Sequence, residues 1–271
     1  MDESMYSPST SDLLKTLSLE EKEQLEKQTF VSDFKKDKLQ KEARKNWDKF
    51  YNRNRDNFFK DRHWTQKEFT DICSSLNFKD NIVFIEAGCG VGNLIFPLME
   101  FYPYWKFCGF DFSNHAIQLL NDRAEKLDVK IFSHVLDITD EDAVAGLQLP
   151  SADLISLVFV LSAISPNKHE TVLKNIHRLL KPGGFVVFRD YAIYDHAMLR
   201  FKRDCKIEDR FYVRQDGTCA YYFYTEEIEK LFTDSGFRAV KTEYIHKRTV
   251  NTKENIDVPR IFVQGCFQRN I

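Results

Sequence analysis

Residues 86–93 read Glu-Ala-Gly-Cys-Gly-Val-Gly-Asn (EAGCGVGN) and follow directly on a short apolar run, "NIVFI". Glycine at 88, 90 and 92 lets the chain turn tightly and brings its backbone close to a ligand that side chains would hold away. Counted from Gly88, the phosphate-binding pattern G-x-G-x-x-G needs a third glycine at position 93, where the sequence has Asn93. The loop therefore keeps the close approach but lacks the pattern that seats a pyrophosphate on a helix N-terminus. Asp111 ends the next apolar run, "WKFCGFD", nineteen residues after Gly92, and Asp137 follows the third. A carboxylate after the second strand accepts hydrogen bonds from ribose hydroxyls, and ligands of open α/β sheets bind along this edge. Glu86, Asp111 and Asp137 together suit a cofactor with a ribose, a positive charge and no phosphate. S-adenosylmethionine meets those conditions; a dinucleotide or an empty pocket are the alternatives. Phe110 and Phe112 flank Asp111 and can pack on adenine, although the core is an equal destination for Phe110.

Working outward, strands and helices alternate. "NIVFIEA", "WKFCGFD", "VKIFSHV", "ADLISLVFV" and "FVVFRD" predict five strands, separated by helices over 93–101, 113–126, from Thr139 and over 167–180, with "KPGG" as a sharp turn. After Asp190 the alternation breaks for about thirty residues. A helix over 225–235, a stop at Gly236 and two further strands, "AVKTEYIHKR" and "RIFVQGCF", complete the pattern. The expected fold is α/β, with a mostly parallel seven-stranded sheet and helices on both faces. Ahead of it, Leu39, Ala43, Trp47 and Tyr51 recur every four residues and predict a helix opened by Ser32 or Asp33, with Trp47 and Tyr51 on one face. Asn52 to His63 reads as an ordered loop, and Thr65 as the cap of a second helix through Leu76. The organisation is a polar tail over 1–30, mobile or a loosely held helix, a helical and loop extension over 31–78, and the main domain over 79–271 with an insertion near 191–224.

The chain has 271 residues, 43% of them hydrophobic, enough for one sizeable domain. A net charge of −2 argues against a generic nucleic-acid binder. The average hides an asymmetry: residues 34–67 hold twelve Lys or Arg against five Asp or Glu, and 238–253 hold five against one. Two basic patches on an acidic body suggest a directed polyanion site, with a solvated helix face as the plainer reading. The six cysteines show no CxxC pair and no zinc-like spacing, so free thiols in a reducing compartment are expected, and no metal. With no secretory or mitochondrial leader in the polar N-terminus, the expected location is the cytoplasm, with the nucleus as a second compartment.

The acidic glycine loop, the acidic ends of strands two and three, and "LLKPGG" before strand five together resemble class I (Rossmann-like) methyltransferases. "VSDFKKDKLQKEARKNWDKFYNRNRDNFFKDRHW", "FVLSAI", "FRDYAIYDHAMLRF" and "FYVRQDGTCAYYF" resemble the eukaryotic tRNA 3-methylcytidine methyltransferases, which modify position 32 of the anticodon loop. The resemblance runs from about Val31 to Phe267 and is closest to the short type directed at serine tRNAs. It implies that Trp47 and Tyr51 close over S-adenosylmethionine, and that Gly88, Asp111, Asp137, Ile138 and Val158 form its pocket; the glycine spacing and the flanks of Asp111 add Gly90 and Phe112. It also implies that Phe58, Phe59, Arg62, His63 and Trp64 belong to an RNA-facing extension, and that seryl-tRNA synthetase can help present the substrate.

Residue chemistry points the same way. Cytosine N3 lies on the base-pairing edge, so the base must be unpaired or swung out, and such bases are held by aromatic stacking with Arg or Lys on the phosphates. Arg53, Arg55, Lys60, Arg62 and His63, with Arg200 and Arg248 further on, are the candidate RNA contacts. The aromatics Phe58 and Phe59 are divided between stacking and plain burial. Neutral cytosine carries a lone pair at N3, so no general base is required, and in-line positioning is the main demand. Asp190, at the end of strand five, is the first candidate to stabilise charge developing on the base, with Tyr191 and Phe159 shaping its pocket. Methylation of a protein or small molecule, and a non-enzymatic adaptor for tRNA or its synthetase, are the competing functions.

Overall fold

Alternate residues of the central strands divide the interior into two cores. In β1 (Val83–Ala87), Ile85 and Ala87 face one side of the sheet and Phe84 the other. The same period of two runs through β2 (Lys106–Asp111), β4 (Ala152–Val158) and β5 (Leu180–Tyr191), as a sheet buried on both faces requires. With β3 (Phe132–Val135), β9 (Phe237–Asn251) and β10 (Ile256–Arg269) they form a seven-stranded sheet in the order β3-β2-β1-β4-β5-β10-β9. Strands β3 to β5 of that order are parallel, and β10 runs antiparallel to both β5 and β9. The insertion after β5 consists, among the described residues, of a short helix and a second, three-stranded sheet of β6 (Lys206–Glu208), β7 (Phe211–Val213) and β8 (Cys219–Tyr221). The computed structural model describes residues 14–54, 60–63, 65–73, 75–251 and 256–271.

The helices in chain order are α1 (Leu19–Glu26), α2 (Asp33–Lys41), α3 (Ala43–Asn54), α4 (Thr65–Ile72), α5 (Ile95–Phe101), α6 (Asn114–Lys126), α7 (Glu141–Ala145), α8 (His169–Leu179), α9 (His196–Leu199) and α10 (Thr225–Asp234). Apolar residues of α4, α5 and α6 cover one face of the large sheet; α8, α10 and the small sheet cover the other. Ser113 caps α6 by accepting from the Ala116 N–H (3.2 Å), as its position before a helical run predicts. The single helix expected from Ser32 is two, α2 and α3, broken at Glu42. Ser32 does cap the first, accepting from the Lys35 N–H. Nothing in α1 is buried, but the chain just after it docks: Gln28 is 8% exposed, donates to the Met198 carbonyl (2.9 Å) and accepts from the Tyr212 hydroxyl (2.9 Å).

The extension is fastened to the sheet through α4. Phe69 and Ile72 enter the core, and Arg189 of β5, 4% exposed, bonds both Glu68 and Gln264. Lys247 of β9 adds a second cation to Glu68 (3.0 Å). Cys73 and Cys266 form a disulfide, which corrects the expectation of six free thiols; Cys89, Cys108, Cys205 and Cys219 are free. The two partners lie 193 residues apart and meet where the chain just after α4 reaches β10, with a Cα separation between them of 6.1 Å, within disulfide reach. No helix among the described residues is long and apolar enough to cross a membrane, and no metal-ligating group is found among them.

Candidate functional site

Strand register brings the sequence motifs to one edge. Ala87 pairs with Phe110, Val158 with Arg189, and Tyr191 with Phe262, so Gly88, Asp111, Phe159, Asp190 and Phe262 line up at the carboxyl ends of β1, β2, β4 and β5. Gly88 adopts φ +67° and a Cβ there would meet Val160 Cγ2 at 2.5 Å, so only glycine lets the loop pass. Gly90 lies under the Tyr51 hydroxyl, which a Cβ would approach to 2.7 Å. Asp111 is held by two backbone donors, the Gly90 N–H to Oδ2 (3.0 Å) and the Ser113 N–H to Oδ1 (2.9 Å). Each oxygen keeps a further lone pair for a ligand. Glu86 is 4% exposed, and its Oε2 is buried with no hydrogen-bond partner among the described residues.

A cavity of about 580 Å³ opens above this edge, a size suited to a small ligand. Gly88, Asp111, Phe112, Asp137 and Ile138 form its floor, and Trp47 and Tyr51 of α3 its roof. The roof is fixed at two points. Ser113 donates to Asp48 of α3 (2.6 Å), and Asn46 donates to the Gly217 carbonyl in the turn after β7 (3.1 Å). Val158 differs from its expected place: it is 4% exposed with its side chain in the core, because strand alternation turns it away, and Phe159 and Val160 line the cavity instead.

Burial raises the acids of this edge. It pushes the Glu86 carboxyl up to about 8 against the pull of nearby Arg62, and Asp111 up to about 6 against its two backbone donors. A folded-state value above the unfolded one means the native protein binds the proton more tightly. Stability from these groups is therefore present at low pH and is lost as pH rises through about 6 and then about 8. A cationic ligand favours the ionised forms. The rise in melting temperature given by S-adenosylmethionine is thus expected to grow from about pH 6 to about pH 8. Thermal melts across that range check it, and a shift that does not vary with pH would remove these carboxylates from the cofactor site.

Next to the cavity lies a cluster of rings. Phe159, at φ +62°, packs against Tyr191 (5.0 Å between centroids) and Phe262 (5.5 Å). A bulky residue in that backbone region is strained, and such strain persists where surrounding contacts enforce it. Here the Phe159 N–H donates to the Arg189 carbonyl (2.8 Å). All three rings are partly exposed. Asp190 is not: it has no exposed surface, and it accepts from the Ser162 N–H (2.9 Å) and the Tyr191 N–H (2.9 Å). Burial raises it to about 6 despite those donors. Asp190, expected to stabilise charge developing on the base, thus stands behind the ring wall, where it fixes the loop that carries Phe159.

Arg62 also departs from expectation. It turns inward, stacks on Phe159 (5.0 Å) and sits in the field of Glu86, Tyr191 and Asp190, while its N–H donates to the Asn93 carbonyl (2.8 Å). Asn93, the residue that breaks the dinucleotide pattern, also donates from its side chain to Asp61 (3.1 Å), which Arg123 grips in a bidentate pair (2.9 and 2.6 Å). The cofactor loop and the extension are joined there. Arg53, Lys60, His63 and Arg200 are exposed, in keeping with an outward role. Arg248 is exposed too and pairs with Asp257 at the surface (2.9 Å). Arg55, Phe58, Phe59 and Trp64 lie outside the described residues. Sequence reasoning missed Phe262, Arg214 and Arg260: Arg214 and Arg260 lie over the Tyr191 ring at 5.3 and 5.7 Å, and come from segments with no motif spacing between them.

Residues 85–186 match a family described as a methyltransferase domain. A human protein named tRNA N(3)-cytidine methyltransferase METTL6 is 48% identical over 255 residues, covering 93% of this chain and 89% of that protein. The tRNA N(3)-methylcytidine methyltransferase trm141 of Schizosaccharomyces pombe is 38% identical over 242 residues, covering 88% and 97%. Among solved structures, a SAM-dependent methyltransferase from Anabaena variabilis aligns with a TM-score of 0.62 at 16% identity, over 84% of this chain and 95% of that one. The magnesium protoporphyrin IX methyltransferase of Synechocystis, solved with bound SAH, gives 0.54 at 14% identity, over 87% and 100%. These two likenesses concern the fold.

Proposed function

Because the chain belongs to the tRNA N(3)-cytidine methyltransferase family, we propose that it transfers a methyl group from S-adenosylmethionine to N3 of the cytidine at position 32 in the anticodon loop of serine tRNAs. The observation that carries this reading is the cofactor-sized cavity walled by Phe159, whose ring packs on those of Tyr191 and Phe262.

The residues present fit the cofactor. Asp111 keeps lone pairs for two ribose hydroxyls, and Phe112 and Ile138 offer apolar surface to an adenine. The buried, unpartnered Oε2 of Glu86 suits an ammonium group, and inward-turned Arg62 suits the carboxylate of the same amino acid. When bound, S-adenosylmethionine supplies a methyl carbon activated by its sulfonium. Trp47 and Tyr51 exclude water from above, and the ring cluster holds an unpaired pyrimidine by stacking, worth about 1–3 kcal/mol per base. The N3 lone pair needs no base to expose it, so the protein's task is to align the reactants and to shield the positive charge that passes to the pyrimidine. Asp190 contributes to that shielding through its field, from behind the rings.

The test is incubation with labelled S-adenosylmethionine and total tRNA, with and without seryl-tRNA synthetase, followed by nucleoside analysis. Label in 3-methylcytidine of serine tRNAs is expected, and the synthetase arm reports whether that partner presents the substrate. Label confined to protein or small molecules, or tRNA retained without methylation, would replace this reading with a different methyltransferase or with an adaptor.

A further inference from the structure

We propose that Arg214 and Arg260 form a phosphate seat for the nucleotide whose base enters the ring cluster, an inference that rests on the reading given under Proposed function. The two side chains arrive from unrelated parts of the chain. Arg214 follows β7 in the insertion, whereas Arg260 lies where β10 projects beyond the end of β5, two residues before the β10–β5 pairing begins at Phe262 and Tyr191. Their guanidinium carbons stand 5.3 and 5.7 Å from the centroid of the same Tyr191 ring, and Arg260 stands 5.3 Å from that of Phe262.

Arg214 is partly buried, yet its hydrogen bonds go to neutral acceptors, Thr218 Oγ1 (3.3 Å) and the Cys219 carbonyl (3.0 Å). Among the described residues no carboxylate lies within 4.0 Å of it; Asp216 and Asp190 act on it only at longer range. Withdrawing a guanidinium from water without an adjacent counter-ion is costly, and it is retained where a ligand completes the pairing. Arg260 is oriented differently. Asp195, with no exposed surface, accepts from its Nε (2.9 and 3.1 Å) and also from the Ile261 and Ala197 N–H groups, so the fork is aimed by a fixed carboxylate. Among the described residues no hydrogen bond engages its two Nη atoms. Two planar forks at the rim of an aromatic floor match a nucleotide, with the base on the rings and phosphate oxygens on the guanidiniums. A peptide carboxylate would use the forks but leave the three rings without a planar partner.

The experiment uses the full chain with serine tRNA and with an anticodon stem-loop RNA carrying a neutral methylphosphonate linkage 5′ to the target cytidine. Arg214→Gln is expected to raise KM for tRNA about tenfold, with kcat and cofactor affinity nearly unchanged. It should also flatten the slope of log affinity against log salt by about 0.7, the value for one phosphate contact on a single strand. The neutral linkage should weaken the wild type about as much, and should weaken Arg214→Gln no further. Arg214→Lys, which keeps the charge without the fork, should recover part of the loss and covers the case in which the glutamine variant does not fold. If the wild type fails to methylate tRNA, the functional reading itself falls. If it methylates tRNA but neither the neutral linkage nor Arg214→Gln changes KM, the phosphate seat is overturned.

Discussion

Asp111→Ala is expected to lower cofactor affinity at least a hundredfold, to the limit of detection by calorimetry with S-adenosylhomocysteine. Two losses add. The ribose hydroxyls lose a charged acceptor, and hydrogen bonds to charged groups are each worth about 1.5–3 kcal/mol. The Gly90 and Ser113 N–H groups lose the carboxylate that holds the glycine loop against the start of α6, so the cavity floor is no longer fixed. Asp111→Asn separates the two, since the amide oxygen can still accept one of those bonds while the charge is gone. Wild-type affinity in the alanine variant would mean that the cofactor sits elsewhere.

The second large effect concerns Arg62. Arg62→Gln is expected to slow methyl transfer about a hundredfold and to weaken cofactor binding about tenfold, one lost charge-assisted contact being worth about 1.5–3 kcal/mol. The salt dependence of tRNA affinity should stay as in the wild type. That pattern follows from the inward position of the side chain, stacked on Phe159 and near Glu86. A phosphate contact at the surface predicts the opposite, an unchanged cofactor affinity with a flatter salt slope. Parallel titrations with S-adenosylhomocysteine and with tRNA at several salt concentrations decide between them.

The main sheet was legible because its signals are local. Alternating apolar residues, the glycines at 88, 90 and 92 and the acids Glu86, Asp111 and Asp137 lie within short windows in or just after β1, β2 and β3. Trp47 and Tyr51 were readable for the same reason, as residues four apart on one helix. The substrate side was not, because it is assembled from distant pieces. Nothing near Arg214 or Arg260 indicates that both reach Tyr191, and nothing near Cys73 points to Cys266. Asp190 and Arg62 show a further limit: their types and places were read correctly, but which way a side chain points depends on neighbours brought in by the fold. The break at Glu42 in the first long helix was equally invisible, since Leu39, Ala43 and Trp47 keep their period across it.

The order of β10 and β9 has a consequence for biosynthesis. β10 is made after β9 yet lies between it and β5, so β9 has nowhere to dock until the later segment has left the ribosome. Up to that moment β5 carries a naked edge, the kind of surface that nascent chains pair with wrongly. Phe262, Arg260 and Cys266 all travel on the late strand. The extension is translated first, yet two of its partners, Lys247 and Cys266, arrive only with the last two strands.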